Sequence, residues 1–415
     1  MKVLQINTTY YNGGSTGRIT YDLKSIGEEC GIEMYVAYGY EYVPTYDMNT
    51  FKMESIAELK WNILKTRLFA HHGFYNVAQT KRLLGFIAKI KPDIIHLHNI
   101  HNHYVNVEML FNYIKKHDIP VVWTLHDCWA FTGWCAYFDY IGCEKWKIHC
   151  SDCPSRRDYP YSWFIDRSYE NFDDKRKCFC GVNKLILVTP SKWLAQLTRD
   201  SFLRDYPVKV INNGVDTNVF KPVDTTEIIK KYGLTGKKVV LAMANQMNRR
   251  KGVEYLLKIP NYLDDNEVLV MVGLTKEALP TLPPQKCIGI LRTTDVNELA
   301  ALYSMASVFV NPTLEDNFPT TNIEALSCGT PVITFETGGS IESLDPSVGE
   351  IIPKGSMSEL VAAVRKFLKG DKVLYTAACR AKAEKLYNKR TQYKLYLSLY
   401  RTNWNGAFFN RQSNI

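Results

Sequence analysis

At 415 residues the chain is longer than one typical hydrophobic core supports, so two domains are expected. Apolar residues make up 46% and charged residues 22%, with 8 Trp, 26 Tyr and 18 Phe, which excludes a disordered chain. The net charge of +9 suits nucleic acid, an anionic membrane surface or a phosphorylated substrate. There is no dense Lys/Arg run and no nucleic-acid module signature, so nucleic acid is not an expected partner.

The opening MKVLQINTTYYNGG reads as a first strand, KVLQIN (2–7), and not as a signal peptide. No apolar run approaches the ~20 residues of a membrane-spanning helix, so a cytoplasmic chain is expected. After that strand, NGGSTGR (12–18) lacks a dinucleotide fingerprint. Its Gly13, Gly14 and Gly17 still let backbone amides approach a phosphate at a helix N-terminus. Further apolar runs follow at 34–39, 93–99, 120–127, 185–191 and 208–214. Lys60, Lys65, Arg67, Lys81, Arg82, Lys89 and Lys91 interleave with Trp61, Leu64, Leu68 and Phe69. That stretch is either a solvated helix face or a membrane-surface contact.

A second series of runs lies at 238–245, 267–273, 287–292, 307–313 and 331–339. Helix-length segments such as GVEYLLKIPNYL and VNELAALYSMA separate them. Short apolar runs ending in polar residues or Gly are what buried parallel strands look like. The fold class expected is α/β, with two Rossmann-like doubly wound domains. The first spans 1–222, with a cysteine-rich insert at about 128–180; the second spans 223–390, and a helical tail (391–415) packs back.

NNGVDTNVFKP, RRKGVEYLL and DNFPTTNIEALSCGTPVI, in that order, resemble the retaining glycosyltransferases of family 4, which have the GT-B fold. The likeness covers nearly the whole chain. HLHNIHNHYVN, VVWTLHDCWAFTGWCAYFDYIGCEKW and CSDCP are similar to the subgroup of bacterial capsule, exopolysaccharide and colanic-acid-type assembly. The resemblance implies an active site in the interdomain cleft and sugar transfer from a nucleotide-sugar donor. It also implies a lipid-diphosphate-linked saccharide acceptor, met peripherally at the inner membrane surface, and no cofactor for catalysis. The alternatives are an epimerase-like GT-B enzyme and a catalytically inactive sugar-nucleotide-binding partner protein.

The resemblance assigns residues as well. Asp316 and Glu324 match the family's two acids with seven residues between, Asp standing where Glu is usual. They would hold the donor sugar and the nucleotide ribose, because carboxylates accept hydrogen bonds from vicinal hydroxyls. Amides of Asn317, Phe318, Thr320 and Thr321 add donors near a helix N-terminus, while Pro319 has no N–H to give. Lys251 takes the phosphate-binding lysine position. Gln246 stands where an Arg is usual, leaving Arg249 or Arg250 to supply that charge, and Arg292 joins the donor-binding set. His126, beside Asp127, lies near the reacting carbon, its backbone carbonyl steadying the oxocarbenium-like charge. His98, Asn99, His101 and His103 read as acceptor-side cleft wall.

Four of the 11 cysteines, Cys135, Cys143, Cys150 and Cys153, crowd into turn-rich sequence. CSDC has the C-x-x-C spacing that supplies two ligands to structural zinc, and the other pair is spaced more loosely. In a cytoplasmic chain such thiols are either a structural zinc site or a set of reduced, partly buried cysteines.

Overall fold

The computed structural model describes residues 1–404 except 12–13, 41–46, 54, 245–247, 292, 294 and 403. By internal contacts the chain divides into two units, Met1–Ile211 with Tyr393–Ile415, and Asn212–Gln392. The first division therefore precedes the boundary expected near residue 222. The NNGVD segment makes its bonds in the second unit: Asn213 donates to the Phe318 carbonyl, and Val215 bridges to Asn388.

The first unit holds β1 (Lys2–Asn7), β2 (Glu33–Tyr38), β3 (Thr50–Lys52), β4 (Ile94–Leu97), β5 (Val121–Thr124), β6 (Leu185–Thr189) and β7 (Val208–Val210). They form one parallel sheet in the order β3-β2-β1-β4-β5-β6-β7. The second unit holds β8 (Lys238–Met243), β9 (Glu267–Leu274), β10 (Cys287–Leu291), β11 (Val308–Asn311), β12 (Val332–Phe335) and β13 (Gly349–Ile352). Its parallel sheet runs β10-β9-β8-β11-β12-β13. The order reverses between β1 and β4, and again between β8 and β11. In open α/β sheets ligands bind outside the carboxyl ends of the strands at such points.

The apolar runs form strands because both faces of each sheet are covered. In the first unit, Val3, Ile94, Val122 and Ile186 enter one core cluster, while Leu4, Ile95, Val121 and Leu185 enter another. The helix Lys389–Tyr400 covers the first of these faces through Tyr393, Tyr396, Leu397 and Tyr400, spaced i, i+3, i+4, i+7. Two of its tyrosines also bond to the strands. The Tyr400 hydroxyl lies 2.6 Å from His96 Nδ1, and Thr124 Oγ1 donates to the Tyr396 hydroxyl at 3.2 Å. Thr124 Oγ1 therefore accepts from His96 Nε2 at 2.9 Å.

Some elements differ from expectation. GVEYLLKIPNYL is not one helix: a single turn at Val253–Leu256 is followed by a 3-10 turn at Ile259–Tyr262. Pro260, which has no N–H to continue the ladder, stands at the break. The three-residue edge strand β3 and the edge strand β13 carry too few apolar residues to announce themselves. The cysteine-rich insert is built from three 3-10 turns and the helix Ser168–Phe179.

Candidate functional site

In the second unit, the loop after β8 and the loop after β11 meet at the reversal point. The Asn248 side chain caps the 3-10 turn Arg249–Lys251 by accepting the Lys251 N–H. Gly252 follows with φ +69°, and a Cβ there would stand 1.8 Å from the Pro312 carbonyl oxygen, so only glycine fits. This close approach registers RKG against the loop 312–318. The Arg250 carbonyl accepts the Leu314 N–H at 2.7 Å, and Arg250 Nη1 donates to the Glu315 carbonyl at 2.9 Å. Lys251 Nζ reaches Asp316 Oδ2 at 2.6 Å.

Asp316 is held from three sides. Its Oδ1 accepts the Asn317 N–H, and its carbonyl accepts the Gly339 N–H. A Cβ on Gly338 would lie 2.2 Å from that same carbonyl oxygen. Burial alone would raise the Asp316 pKa, but Lys251 and Arg250 outweigh it and hold the carboxylate below its ordinary range. Glu324 lies in the helix Thr320–Ser327, where its Oε2 accepts from the buried Tyr303 hydroxyl at 2.9 Å. Asn322 pins this helix through Ser340 and Asn311.

Of the expected donor residues, Arg250, Lys251 and Asp316 are thus brought together. Asn317 is buried beside them, and Thr320 and Thr321 open the helix half-exposed. Phe318 is buried in the core against Tyr387, so its ring is not a ligand-facing surface. Arg249 is exposed. Gly13, Gln246 and Arg292 lie outside the described residues. Gly14 begins the first helix at φ +72°.

In the first unit, the carboxyl ends of β1, β4 and β5 carry a directional hydrogen-bond chain. Gln5 Nε2 donates to the Thr20 carbonyl, which leaves Gln5 Oε1 to accept from His98 Nε2 at 3.1 Å. His98 Nδ1 then accepts from His126 Nε2 at 3.1 Å, and both tautomers are fixed. Beside them Asp127 accepts the Trp129 N–H and bonds to His101 Nε2 at 2.9 Å, while His101 Nδ1 meets the Tyr159 hydroxyl at 2.7 Å. Burial would raise Asp127, but His101 and the Trp129 amide turn the net shift downwards. Burial lowers His126 to about 4, against the raising influence of Asp127, so it is neutral at physiological pH.

His98, His101 and His103 are buried and individually bonded, and Asn99 between them is half-exposed. Cys135, Cys143, Cys150 and Cys153 lie together around one small cavity in the insert. Among the described residues, no three His, Cys, Asp or Glu side chains are gathered into a metal-holding group. Sequence reasoning missed Tyr303, Gln5 and Gly338. For Gly338, the TGG after β12 was the available signal; Tyr303 sits on an ordinary apolar helix face and gave none.

The two Rossmann-like units have the architecture of the GT-B glycosyltransferase fold. Residues 31–219 match the model of Glycosyltransferase Family 4, and residues 224–386 that of the Glycosyl transferases group 1. The two matches follow one another along most of the chain, which belongs to this family of enzymes. A putative colanic acid biosynthesis glycosyl transferase, WcaC of Escherichia coli K12, is 28% identical over 87% of this chain and 89% of its own length. Among solved structures, sucrose-phosphate synthase from Thermosynechococcus elongatus superposes with a TM-score of 0.71 at 16% identity, covering 97% of this chain and 98% of that one. Anabaena Alr3699/HepE, solved with UDP-glucose, gives 0.65 at 13% identity, covering 96% and 99%.

The histidines make one consequence measurable. His72, His96, His98, His103 and His126 are all pushed down by burial, His103 and His126 to about 4. Unfolded, each takes a proton near pH 6.5. Acid thus favours the unfolded chain: the stabilisation is full above about 6.5 and is lost as pH falls towards 4. For His126 alone the loss at pH 5 is about 2 kcal/mol. The melting temperature should drop by at least about 5 °C between pH 7.5 and pH 5. Equal melting temperatures would show that these rings do not stay neutral in the fold.

Proposed function

We propose that the protein is a retaining glycosyltransferase. It moves a sugar from a nucleoside-diphosphate donor to a hydroxyl of a lipid-diphosphate-linked saccharide, in capsule or exopolysaccharide assembly. One observation carries the donor half: Lys251, Arg250 and Asp316 converge at the strand-order reversal of the second sheet, beside the helix that bears Glu324. Likeness to a colanic acid enzyme supports the acceptor class.

Each group has a task in this reading. Lys251 takes charge that develops on the departing diphosphate, where a fixed cation is worth more than in water. Glu324, oriented by Tyr303, accepts from the ribose hydroxyls. Asp316 accepts from a sugar hydroxyl and keeps Lys251 in position. The carbonyl of neutral His126 faces the developing positive charge, which an imidazolium would oppose. The leaving phosphate takes the acceptor's proton, so no protein base is assigned and no cofactor is invoked.

The test is transfer from a panel of nucleotide sugars to a lipid-diphosphate saccharide, with the anomeric configuration of the product read by NMR. Nucleoside diphosphate should appear only with acceptor, the donor's configuration should be kept, and Glu324→Gln should lower kcat/KM about 30-fold or more. An inverted product would overturn the retaining mechanism; release without acceptor would indicate the epimerase-like alternative.

The same reading places the first unit against an anionic membrane surface. The helix Ile56–Phe69 exposes Ile56, Trp61 and Phe69 alongside Lys60. The Arg67 carbonyl accepts the Trp163 N–H, and its guanidinium lies over Tyr161 and Trp163, next to exposed Phe164 and Ile165. Aromatic groups beside cations suit a headgroup layer. Among the described residues no helix is long and apolar enough to cross a membrane. The protein should co-sediment with vesicles containing phosphatidylglycerol, and Trp61→Ser with Phe164→Ser should weaken this several-fold. Equal recovery with neutral vesicles, or none with either, would contradict the placement.

A further inference from the structure

We propose that Cys135, Cys143, Cys150 and Cys153 form a structural site for one Zn2+ in the first unit. All four line a single small cavity, although they come from separate turns of the insert. The Cys135 and Cys153 thiols hydrogen-bond to one another. Around them the fold supplies what a thiolate cluster needs beyond its ligands. Cys150 Sγ accepts the Gly133 N–H at 3.1 Å, and Cys153 Sγ accepts the Ser155 N–H. Such amides orient metal-bound sulfurs and share their charge. Gly133 delivers its amide because it has no side chain: a Cβ there would stand 2.0 Å from the Ser168 carbonyl oxygen and 2.8 Å from Cys150 Cβ.

The charges agree with this assignment. Lys175 is buried next to the cluster, donating to the Trp129 carbonyl at 2.8 Å and the Thr132 carbonyl at 3.0 Å, with Nζ 3.6 Å from the Trp129 ring centre. Among the described residues its hydrogen bonds go to carbonyls alone. The groups whose charge acts on it are Cys150, Cys135, Asp127 and Cys153, three of them cysteines of the cavity. A buried ammonium without a bonded carboxylate is costly unless a negative centre lies near. Lys145 Nζ closes the CSDC turn from outside, donating to the carbonyls of Ser151 and Asp152. Zinc held by four thiolates is a dianion, which two lysines balance.

The thiols are not already drawn around a common point. Binding would gather them, with four thiol protons leaving as four Zn–S bonds form and no change of oxidation state. Soft thiolates select zinc over hard cations, and four of them close the site to water. The ion's role would be to pin an insert that has only single 3-10 turns between Asp127 and Arg167. It takes no part in the sugar-transfer chemistry.

Elemental analysis of the full chain, purified without added metal or chelator and then re-equilibrated with zinc, tests this. About one equivalent should remain after desalting, and a mercurial thiol reagent should release it. Cys150→Ser with Cys153→Ser should abolish retention, whereas Cys178→Ser, a buried cysteine outside the cavity, should preserve it. If the double variant fails to fold, the metal content of the wild type decides. Absence of zinc in the re-equilibrated wild type, full retention in a folded double variant, or disulfides among these four cysteines by intact mass would overturn the proposal.

Discussion

The donor-side architecture depends on one contact between two loops. Lys251 can bond Asp316 only because Gly252 lets its turn lie against Pro312, and Gly338 lets the loop after β12 lie against the Asp316 carbonyl. Two glycines therefore set the position of a charge pair that neither belongs to. In the proposed reading, a cation and a carboxylate placed this way would need little reorganisation for a diphosphate, and preorganisation is where electrostatic catalysis gains most. The departure from the family pattern matters here, since Asp316 has a shorter arm than Glu. The shortfall is consistent with a carboxylate drawn back onto Lys251.

The first unit solves a different problem, keeping several histidines uncharged inside a core. Burial keeps them uncharged, and a chain of hydrogen bonds that runs one way fixes the tautomers of His98 and His126. The Thr20 carbonyl sets Gln5, Gln5 sets His98, and His98 sets His126. On the same face of the sheet, Tyr396 and Tyr400 of the C-terminal helix set Thr124 and His96. The helix Lys389–Tyr400 thus bonds to β4 and β5, strands far from it in sequence.

Much of this was legible in the sequence, for reasons that differ by element. Buried parallel strands are continuous apolar runs, so β1, β4, β6 and β12 could be read directly, while the short edge strands β3 and β13 could not. Lys251, Asp316 and Glu324 could be singled out as candidates because their spacing resembles a family pattern. That Lys251 would pair with Asp316, and that Tyr303 would orient Glu324, depends on contacts across long stretches of sequence that no local pattern encodes. The histidine run HLHNIHNHYVN reads as acceptor-side cleft wall, with no sign of how its rings are placed. It is buried because each ring found a partner, which only the tertiary structure supplies.

The central claim is that the reversal point of the second sheet holds the diphosphate and ribose of a nucleotide. Isothermal titration of the full chain with UDP, GDP and ADP tests it directly, using wild type, Lys251→Met and Glu324→Gln. At least one nucleotide should bind the wild type, and each substitution should weaken that binding by about tenfold or more, in line with a lost charged hydrogen bond. Unchanged affinity in both folded variants would contradict the account.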